Sequence, residues 1–216
     1  MIEKKIIALN KLQDLKKQNI VLATHNKGKI SEITTLLNKN HLKTISAKTL
    51  DLSEPIEDGS SFEENAFIKA SNASKSTGLP SLSDDSGLCI NALNGDPGVY
   101  SADWAGKNKD FKVAIHKVEK MMRLSSTNDK SAKMYCALCL CWPDGDYIIK
   151  NGEINGNIVF PPRGTKGFGY DPIFVPDIQP KKGFSLTFGE IDPIFKNNNC
   201  HRSIAFKKLM ISILNE

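Results

Sequence analysis

Short apolar runs and helix-spaced apolar residues alternate along the first fifth of the chain. Residues 19–24 (NIVLAT) form a compact β-rich run, which predicts a strand. After the polar loop HNKGK, apolar residues recur at helical spacing, namely Ile30, Ile33, Leu36 and Leu37. Residues 42–47 (LKTISA) predict a second strand. A strand, a short loop and a helix in that order begin an α/β unit, so the pattern predicts the α/β fold class.

The next segment has clear signals for one helix. A helix is predicted from about Phe62, with Ser60 or Ser61 able to cap it and Gly78 able to end it. The stretch SLSDDSG (81–87) then predicts an acidic turn that leads into a short strand at 88–93. Residues 94–106 contain several glycines and a proline, which predicts a loop.

The second half of the chain continues the alternation. Residues 108–124 predict a helix, and the alternating segments AKMYCALCLCW and DYIIKNGEINGNIVF predict strands joined by a hairpin around Pro143, Asp144 and Gly145. Residues 161–176 predict a loop, and a last helix is expected after Cys200. No repeat, linker or clean domain boundary interrupts the pattern. We therefore predict a single domain over residues 19–216, preceded by a polar N-terminal extension at 1–18.

Composition and charge narrow the function only slightly. Of the 216 residues, 40% are hydrophobic and 25% are charged, and the net charge is +5. This mild positive excess suits phosphate-bearing substrates and is too small to indicate nucleic-acid binding. No apolar run approaches the ~20 residues that cross a bilayer, and no secretory leader is recognisable. The five cysteines lack a disulfide-like framework, so we expect a cytoplasmic protein whose CALCLC thiols (136–141) are small buried hydrophobes.

The loop from Thr24 to Lys29 (THNKGK) is a first candidate site. Ligands of open α/β sheets collect at the carboxyl ends of strands, where helix N-termini offer N–H groups to anions. The loop matches neither GxxxxGK[ST] nor GxGxxG, and an ordinary helix-start loop explains it equally well. Lys69 in ENAFIKA is a second candidate, although a lone lysine among small apolar residues is more often a snorkelling surface lysine.

Acidic and aromatic residues supply the remaining candidates. Asp84 and Asp85 could hold Mg²⁺, with an acidic residue from 54–64 as a further ligand, although a solvated acidic turn is the simpler interpretation. Phe168 and Tyr170 could stack on a nucleobase or could be core aromatics. A helix that starts with His201 and Arg202 is unusual, because cations there oppose the helix dipole.

Taken in order, these segments resemble the non-standard purine nucleoside triphosphate pyrophosphatases (the inosine/xanthosine triphosphate pyrophosphatase family). The matching stretches are VLATHNKGKISEI at 21–33, FEENAFIKA at 62–70, SDDSGLCINALNGDPGVYSADWAG at 83–106, GFGYDPIFVP at 167–176, and Lys196, His201 and Arg202. The resemblance implies an elongated, two-lobed α/β fold around a long mixed sheet with a central substrate cleft. It also implies a homodimer that hydrolyses ITP, dITP and XTP to the monophosphate and pyrophosphate with Mg²⁺, and so cleanses the nucleotide pool.

The resemblance assigns roles to individual positions. It makes Asp85 the proton acceptor and a metal ligand, Lys69 and Asp84 members of the catalytic group, and Glu57 and Glu54 further candidate metal ligands. It implies a larger set of substrate-binding residues, namely Thr24, His25, Asn26, Lys27, Gly28, Lys29, Ser86, Phe168, Gly169, Tyr170, Asp171, Lys196, His201 and Arg202. Selecting a 6-keto purine needs hydrogen-bond donors at the O6 edge, for which Arg202 and backbone N–H groups are the candidates.

The chain departs from the family pattern in a few places. Many relatives have Glu at the position of Ile56, and Ser at that of Cys200, and the stretch IDPIFK is less acidic than its counterpart. Two other functions stay open. A nucleotide sensor without turnover would keep the base pocket without needing Asp85 as a base, and a pyrophosphatase for another modified nucleotide, such as a methylated pyrimidine, would use the same chemistry. Nucleic-acid binding is the weakest alternative, because the basic residues are dispersed.

Overall fold

The computed structural model describes residues 13–215 of the chain. The strands are β1 (Asn19–Leu22), β2 (Lys43–Ser46), β3 (Ser81–Ile90), β4 (Ser131–Cys141), β5 (Tyr147–Ile158) and β6 (Phe174–Pro176). The helices with defined bounds are α1 (Lys27–Asn38), α2 (Phe62–Thr77), α3 (Phe111–Leu124), α4 (Pro193–Asn199) and α5 (His201–Asn215). Most of the predicted N-terminal extension lies outside the described residues; its described end, residues 13–17, is helical, and Leu15 is buried there.

The six strands form one mixed sheet in the order β2-β1-β3-β4-β5-β6. Strand β1 runs parallel to β2, with Val21 opposite Ile45, and parallel to β3, with Leu22 opposite Leu82. Strands β5 and β6 are antiparallel, with Asn157 opposite Val175. Parallel pairing at one edge and antiparallel pairing at the other confirm the α/β class and the mixed sheet. No helix among the described residues is long and apolar enough to span a membrane.

The helix boundaries follow the capping signals in the sequence. Helix α2 begins after Ser61, whose hydroxyl accepts a hydrogen bond from the N–H of Glu64, and it ends at Gly78 in the left-handed conformation. Both signals were predicted, and both are confirmed. Helix α1 begins earlier than the apolar spacing indicates, at Lys27, because the side chain of Asn26 caps it.

Two local predictions are wrong, and one helix was not predicted. SLSDDSG is not a turn before a short strand; it is the first part of the ten-residue strand β3, and both of its aspartates are buried. Neighbouring cations compensate these carboxylates, which is why they tolerate a buried strand. The predicted loop at 161–176 contains strand β6, and the residues before Cys200 form α4, whose start is capped by Asp192.

The chain divides into two compact units. The first comprises the residues up to 85 together with 137–152 and those from 202 onward, and the second comprises 86–136 and 153–201. In the first unit Val21, Ala23 and Ala73 form a core cluster. The second unit has a larger core, which includes Leu88, Ile90, Ile173, Phe174 and Phe188.

The cysteines of strand β4 behave as buried apolar residues. Cys136, Cys139 and Cys141 are free thiols and are almost completely buried. Burial raises the pKa of Cys139 to about 12, so its thiol stays protonated at neutral pH. The prediction that these residues are small hydrophobes is therefore confirmed.

Candidate active site

The loop between β1 and α1 has the geometry of an anion-binding turn. The Oδ1 atom of Asn26 accepts a hydrogen bond from the N–H of Lys29 at 3.1 Å, and the hydroxyl of Thr24 accepts one from the N–H of Asn26 at 3.2 Å. The first turn of α1 contains no acidic residue and carries Lys27 and Lys29. A helix N-terminus with cations in its first turn favours a negatively charged ligand.

The two aspartates of β3 serve opposite faces of the strand. Successive side chains of a strand point to opposite sides, so Ser83 and Asp85 share one face and Asp84 lies on the other. Ser83 donates its hydroxyl hydrogen to the carbonyl of Ala66 in α2, and Asp85 meets Lys69 from the same helix. Asp84 instead meets cations from α1 and α5. Adjacent carboxylates thus avoid each other without sharing one cation.

On the Asp85 face, Lys69 joins two carboxylates. Its Nζ atom lies 2.6 Å from Oε2 of Glu57 and 3.2 Å from Oδ1 of Asp85, and its side chain is only 7% exposed. The amide of Asn65 donates to Oδ2 of Asp85 at 3.4 Å and accepts from the N–H of Gly59 at 2.9 Å. Lys69 is therefore buried and paired, so the snorkelling alternative is wrong.

Burial and charge act against each other on this pair. Burial lowers the pKa of Lys69, but the carboxylates of Asp85 and Glu57 raise it by more, so the ammonium stays charged. Burial also raises the pKa of Asp85, against the opposing effect of the positive charges on Lys69 and Lys29. A carboxylate whose pKa is raised is a better proton acceptor than an exposed aspartate.

On the Asp84 face, one carboxylate holds two cations. Oδ1 of Asp84 lies 2.6 Å from Nζ of Lys29, and Oδ2 accepts a hydrogen bond from Nε of Arg202 at 2.8 Å. The guanidinium of Arg202 also donates from Nη1 to Oε2 of Glu32. Asp84 is 0% exposed and Arg202 is 1% exposed. These two acidic partners explain how α5 can begin with an arginine despite the helix dipole.

The second unit contributes a different ion pair. Nζ of Lys196 lies 2.6 Å from Oδ2 of Asp171, and that same oxygen accepts the N–H of Phe168 at 2.7 Å. The Lys196 ammonium also stands 4.8 Å from the centroid of the Phe168 ring. The three residues predicted for base recognition here are thus held together as one group.

The remaining predicted substrate contacts differ in their surroundings. Tyr170 belongs to the core of the second unit: its hydroxyl donates to the carbonyl of Ser101 at 2.9 Å, its ring meets Phe111 edge-on, and burial raises its pKa. Phe168, which is half-buried, is the better stacking candidate. Gly169 has a positive φ, Ser86 follows Asp85 in β3, and His201 is buried at the start of α5.

Two of the three predicted metal ligands, Glu57 and Asp85, lie next to the same ammonium group. Glu57 and Asp85 converge on the ammonium of Lys69, whereas Glu54 lies 3.8 Å from Nδ1 of His25. Across residues 13–215, no group of three or more His, Cys, Asp and Glu side chains is arranged to hold a metal. Mg²⁺ commonly takes one or two carboxylates and completes its shell with phosphate oxygens and water, so Glu57 and Asp85 fit it. Ile56 is 82% exposed, and the adjacent Glu57 makes the contact with Lys69.

A cavity in the first unit lies between the loop from Thr24 to Lys29 and helix α2. It is lined by residues that include Thr24, His25, Glu54, Lys69 and Asn72. Two predicted substrate-binding residues of the loop therefore share a cavity wall with the predicted catalytic lysine.

Two residues of the site were not predicted from the sequence. Asn65 precedes Lys69 by one helical turn and Glu32 follows Lys29 by three residues, so each lies on the same helix face as a predicted site residue. That spacing was the signal that could have identified them.

Comparison with known proteins gives a consistent result. The family model described as "Ham1 family" matches residues 20–211. A dITP/XTP pyrophosphatase from Caulobacter vibrioides is 46% identical over 194 residues, which cover 90% of this chain and 97% of the relative. One from Agrobacterium fabrum is also 46% identical and covers 94% of this chain and 99% of the relative. The structure of a HAM1 protein from Coxiella burnetii matches with a TM-score of 0.80 and 39% identity, covering 92% of this chain and 99% of that one.

Proposed function

This chain belongs to the Ham1 family, and we propose that it is a nucleoside triphosphate pyrophosphatase acting on non-standard purine nucleotides. It hydrolyses ITP, dITP and XTP to the monophosphate and pyrophosphate, and so removes deaminated purines from the nucleotide pool. Curated relatives named dITP/XTP pyrophosphatase support the substrate class. The observation that carries the proposal is the buried Lys69, whose ammonium joins Glu57 and Asp85 beside the anion-binding loop.

The triphosphate is bound by the first unit. The N–H groups at the start of α1 and the cations Lys27 and Lys29 neutralise its oxygens. Lys69 adds a fixed positive charge at the point where Asp85 stands. Such preorganised charge stabilises a phosphoryl-transfer transition state more than it stabilises the ground state.

Asp85 handles the proton of the attacking water. The water oxygen forms a bond to the α-phosphorus, the bond from that phosphorus to the bridging oxygen breaks, and pyrophosphate leaves with the electron pair. The water proton moves to a carboxylate oxygen of Asp85, which Lys69 and Asn65 hold in place. Glu57 and Asp85 are the residues that would hold Mg²⁺, and the ion supplies additional charge neutralisation on the triphosphate when it is bound. Glu54 remains a further candidate ligand.

Base recognition is assigned to Phe168, Asp171 and Lys196, together with His201 and Arg202. The Lys196–Asp171 pair fixes the backbone and ring of Phe168, which supports a stacking role for that ring. Donors aimed at O6 accept a 6-keto purine and disfavour a 6-amino purine, because the amino group would meet a donor. The two-lobed shape, the central cleft, the homodimer and the cytoplasmic location stay predictions of the resemblance and of the cysteine content.

The test is pyrophosphate release by the purified protein from ITP, dITP, XTP, ATP, GTP and dTTP, with Mg²⁺ and after its removal by a chelator. We expect Mg²⁺-dependent release from the three deaminated purines and slow release from the others. Binding of ITP without turnover would instead identify a nucleotide sensor. Turnover of dTTP or ATP at a similar rate would contradict the assigned base selectivity.

A further inference from the structure

A single buried carboxylate connects two cations to which different roles are assigned above. Asp84 contacts Lys29, a residue of the anion-binding loop, with one oxygen and Arg202, a residue assigned to base recognition, with the other. Both contacts are within ordinary hydrogen-bond distance, at 2.6 and 2.8 Å. Asp84 is completely buried, and the side chains of Lys29 and Arg202 are 14% and 1% exposed, so bulk solvent screens both contacts only weakly.

Around Asp84, two cations contact two carboxylates. Lys29 and Arg202 carry two positive charges, and Asp84 and Glu32, the second acidic partner of Arg202, carry two negative charges. Buried polar groups that share partners are energetically coupled, because moving one charge leaves another uncompensated in a medium of low dielectric constant. A polyphosphate that draws Lys29 toward itself therefore also changes how strongly Asp84 holds Arg202.

We propose that Asp84 is a positioning residue that couples triphosphate binding at Lys29 to base recognition at Arg202. The proposal rests on the function proposed above. Asp84 is distinct in role from its neighbour Asp85, because it lies on the opposite face of β3 and both of its carboxylate oxygens bind cations. Because of this coupling, binding of the correct base at Arg202 strengthens the binding of the phosphates of the same nucleotide at Lys29.

The first experiment uses inorganic triphosphate, a ligand that has no base. Its affinity is measured by calorimetry on the purified full-length protein. Arg202→Lys keeps the positive charge but loses the simultaneous contacts to Asp84 and Glu32, so we expect the affinity for inorganic triphosphate to fall about three- to tenfold. Arg123→Lys is the matched control, since Arg123 forms an exposed pair with Glu119, and its affinity should equal that of the wild type.

The second experiment tests the reverse direction. Lys29→Gln should reduce the ratio of kcat/KM for ITP to that for ATP about three- to tenfold, although Lys29 is assigned to phosphate and not to the base.

Asp84→Asn keeps the size of the side chain but replaces one carboxylate oxygen by an amide group, so only one of the two cations keeps its acceptor. This variant should raise KM for ITP more than it lowers kcat. Ser83→Ala, in the same strand, should lower the Tm without changing the ITP-to-ATP ratio.

The outcomes separate the coupling from the proposed function. An Arg202→Lys protein that binds inorganic triphosphate within about twofold of wild type, or a wild-type protein that does not bind it, would overturn the coupling. So would an unchanged ITP-to-ATP ratio in Lys29→Gln. If Asp84→Asn does not fold, Arg202→Lys and Lys29→Gln still test the coupling. A wild-type protein that releases no pyrophosphate from ITP would refute the proposed function, whereas calorimetry would still test the coupling.

Discussion

The two units use buried lysines in opposite ways. In the first unit the lysine–carboxylate contacts are shared: Lys69 joins Glu57 and Asp85, and Asp84 joins Lys29 and Arg202. In the second unit Lys196 is directed at a carboxylate whose same oxygen also holds the backbone of Phe168. The first arrangement distributes charge among several groups, and the second fixes one aromatic ring.

This difference corresponds to what each unit is proposed to bind. A triphosphate and a divalent cation bring several charges, and a shared network can redistribute around them at low cost. A planar base brings little charge and is selected by shape, so a rigid ring with fixed neighbours serves it better. Arg202 of the first unit is also assigned to the base, so the following predictions compare the ion-pair groups themselves. The contact between Lys69 and Asp85 should serve the chemistry, and the pair of Lys196 and Asp171 should fix the stacking ring.

The largest expected effect is on catalysis in the first unit. Asp85→Asn removes the proton acceptor but keeps the shape, so kcat for ITP should fall about a hundred- to ten-thousandfold. Asp177→Asn, at an exposed position directly after β6, is the control and should leave kcat unchanged. Pyrophosphate release measures both. Near-normal activity of the Asp85→Asn protein would show that another group accepts the proton.

The next effect is on stability in the second unit. Lys196→Met leaves the buried carboxylate of Asp171 without its cation, so the free energy of unfolding should fall by about 3–5 kcal/mol. Lys133→Met breaks the exposed pair with Glu153 and should cost about 1 kcal/mol or less. Urea unfolding of both variants gives the comparison. Equal losses would mean that the buried pair is no more important to the fold than a surface one.

A smaller effect is expected at a glycine beside the Phe168 group. Gly167 has a positive φ, and a Cβ there would collide with Oδ2 of Asp171. Gly183 also has a positive φ but faces open space, so Gly183→Ala isolates the backbone cost. Gly167→Ala should be less stable than Gly183→Ala by about 1–3 kcal/mol and should raise KM for ITP. If the two variants match in stability and KM, the collision is relieved without disturbing Asp171.

The smallest effect is expected at the start of α2. Ser61→Ala removes the cap of the helix that carries Asn65 and Lys69, and should cost about 1 kcal/mol of stability. Ser61→Thr keeps a capping hydroxyl and should retain most of that stability. Thermal unfolding compares the two. A Ser61→Ala protein as stable as the wild type would indicate that packing alone fixes this end of the helix.

Much of the fold could be predicted from the sequence because its signals are local. The caps Ser61 and Gly78 lie within a few residues of the ends they set, and the apolar residues of α5 repeat along one face. The prediction of a turn at residues 81–87 is wrong because two adjacent aspartates are uncommon in a strand, and the neighbouring sequence gives no reason to expect them there. The cations that compensate them are distant in sequence: Arg202 follows Asp84 by 118 residues. No local pattern carries that information.

The candidate site shows the same division. The resemblance identified Lys69 and Asp85, and the structure shows that both are buried and in contact. The sequence alone could not distinguish the surroundings of Phe168 and Tyr170, because both are aromatics next to Gly169 and only their contacts separate them. Glu57 and Glu54 also look alike in sequence, yet they contact different partners.

The strand geometry around Asp84 and Asp85 has a consequence for how this sequence can vary. A strand has a two-residue period, so an insertion or deletion of one residue between the start of β3 and Asp84 would exchange the faces of the two aspartates. Asp85, which contacts α2, would then be directed at α1 and α5, and Asp84 would be directed at α2. A change of length by an odd number of residues in this segment would therefore invert the whole arrangement at once. The spacing of this short segment is therefore constrained as strictly as its chemistry.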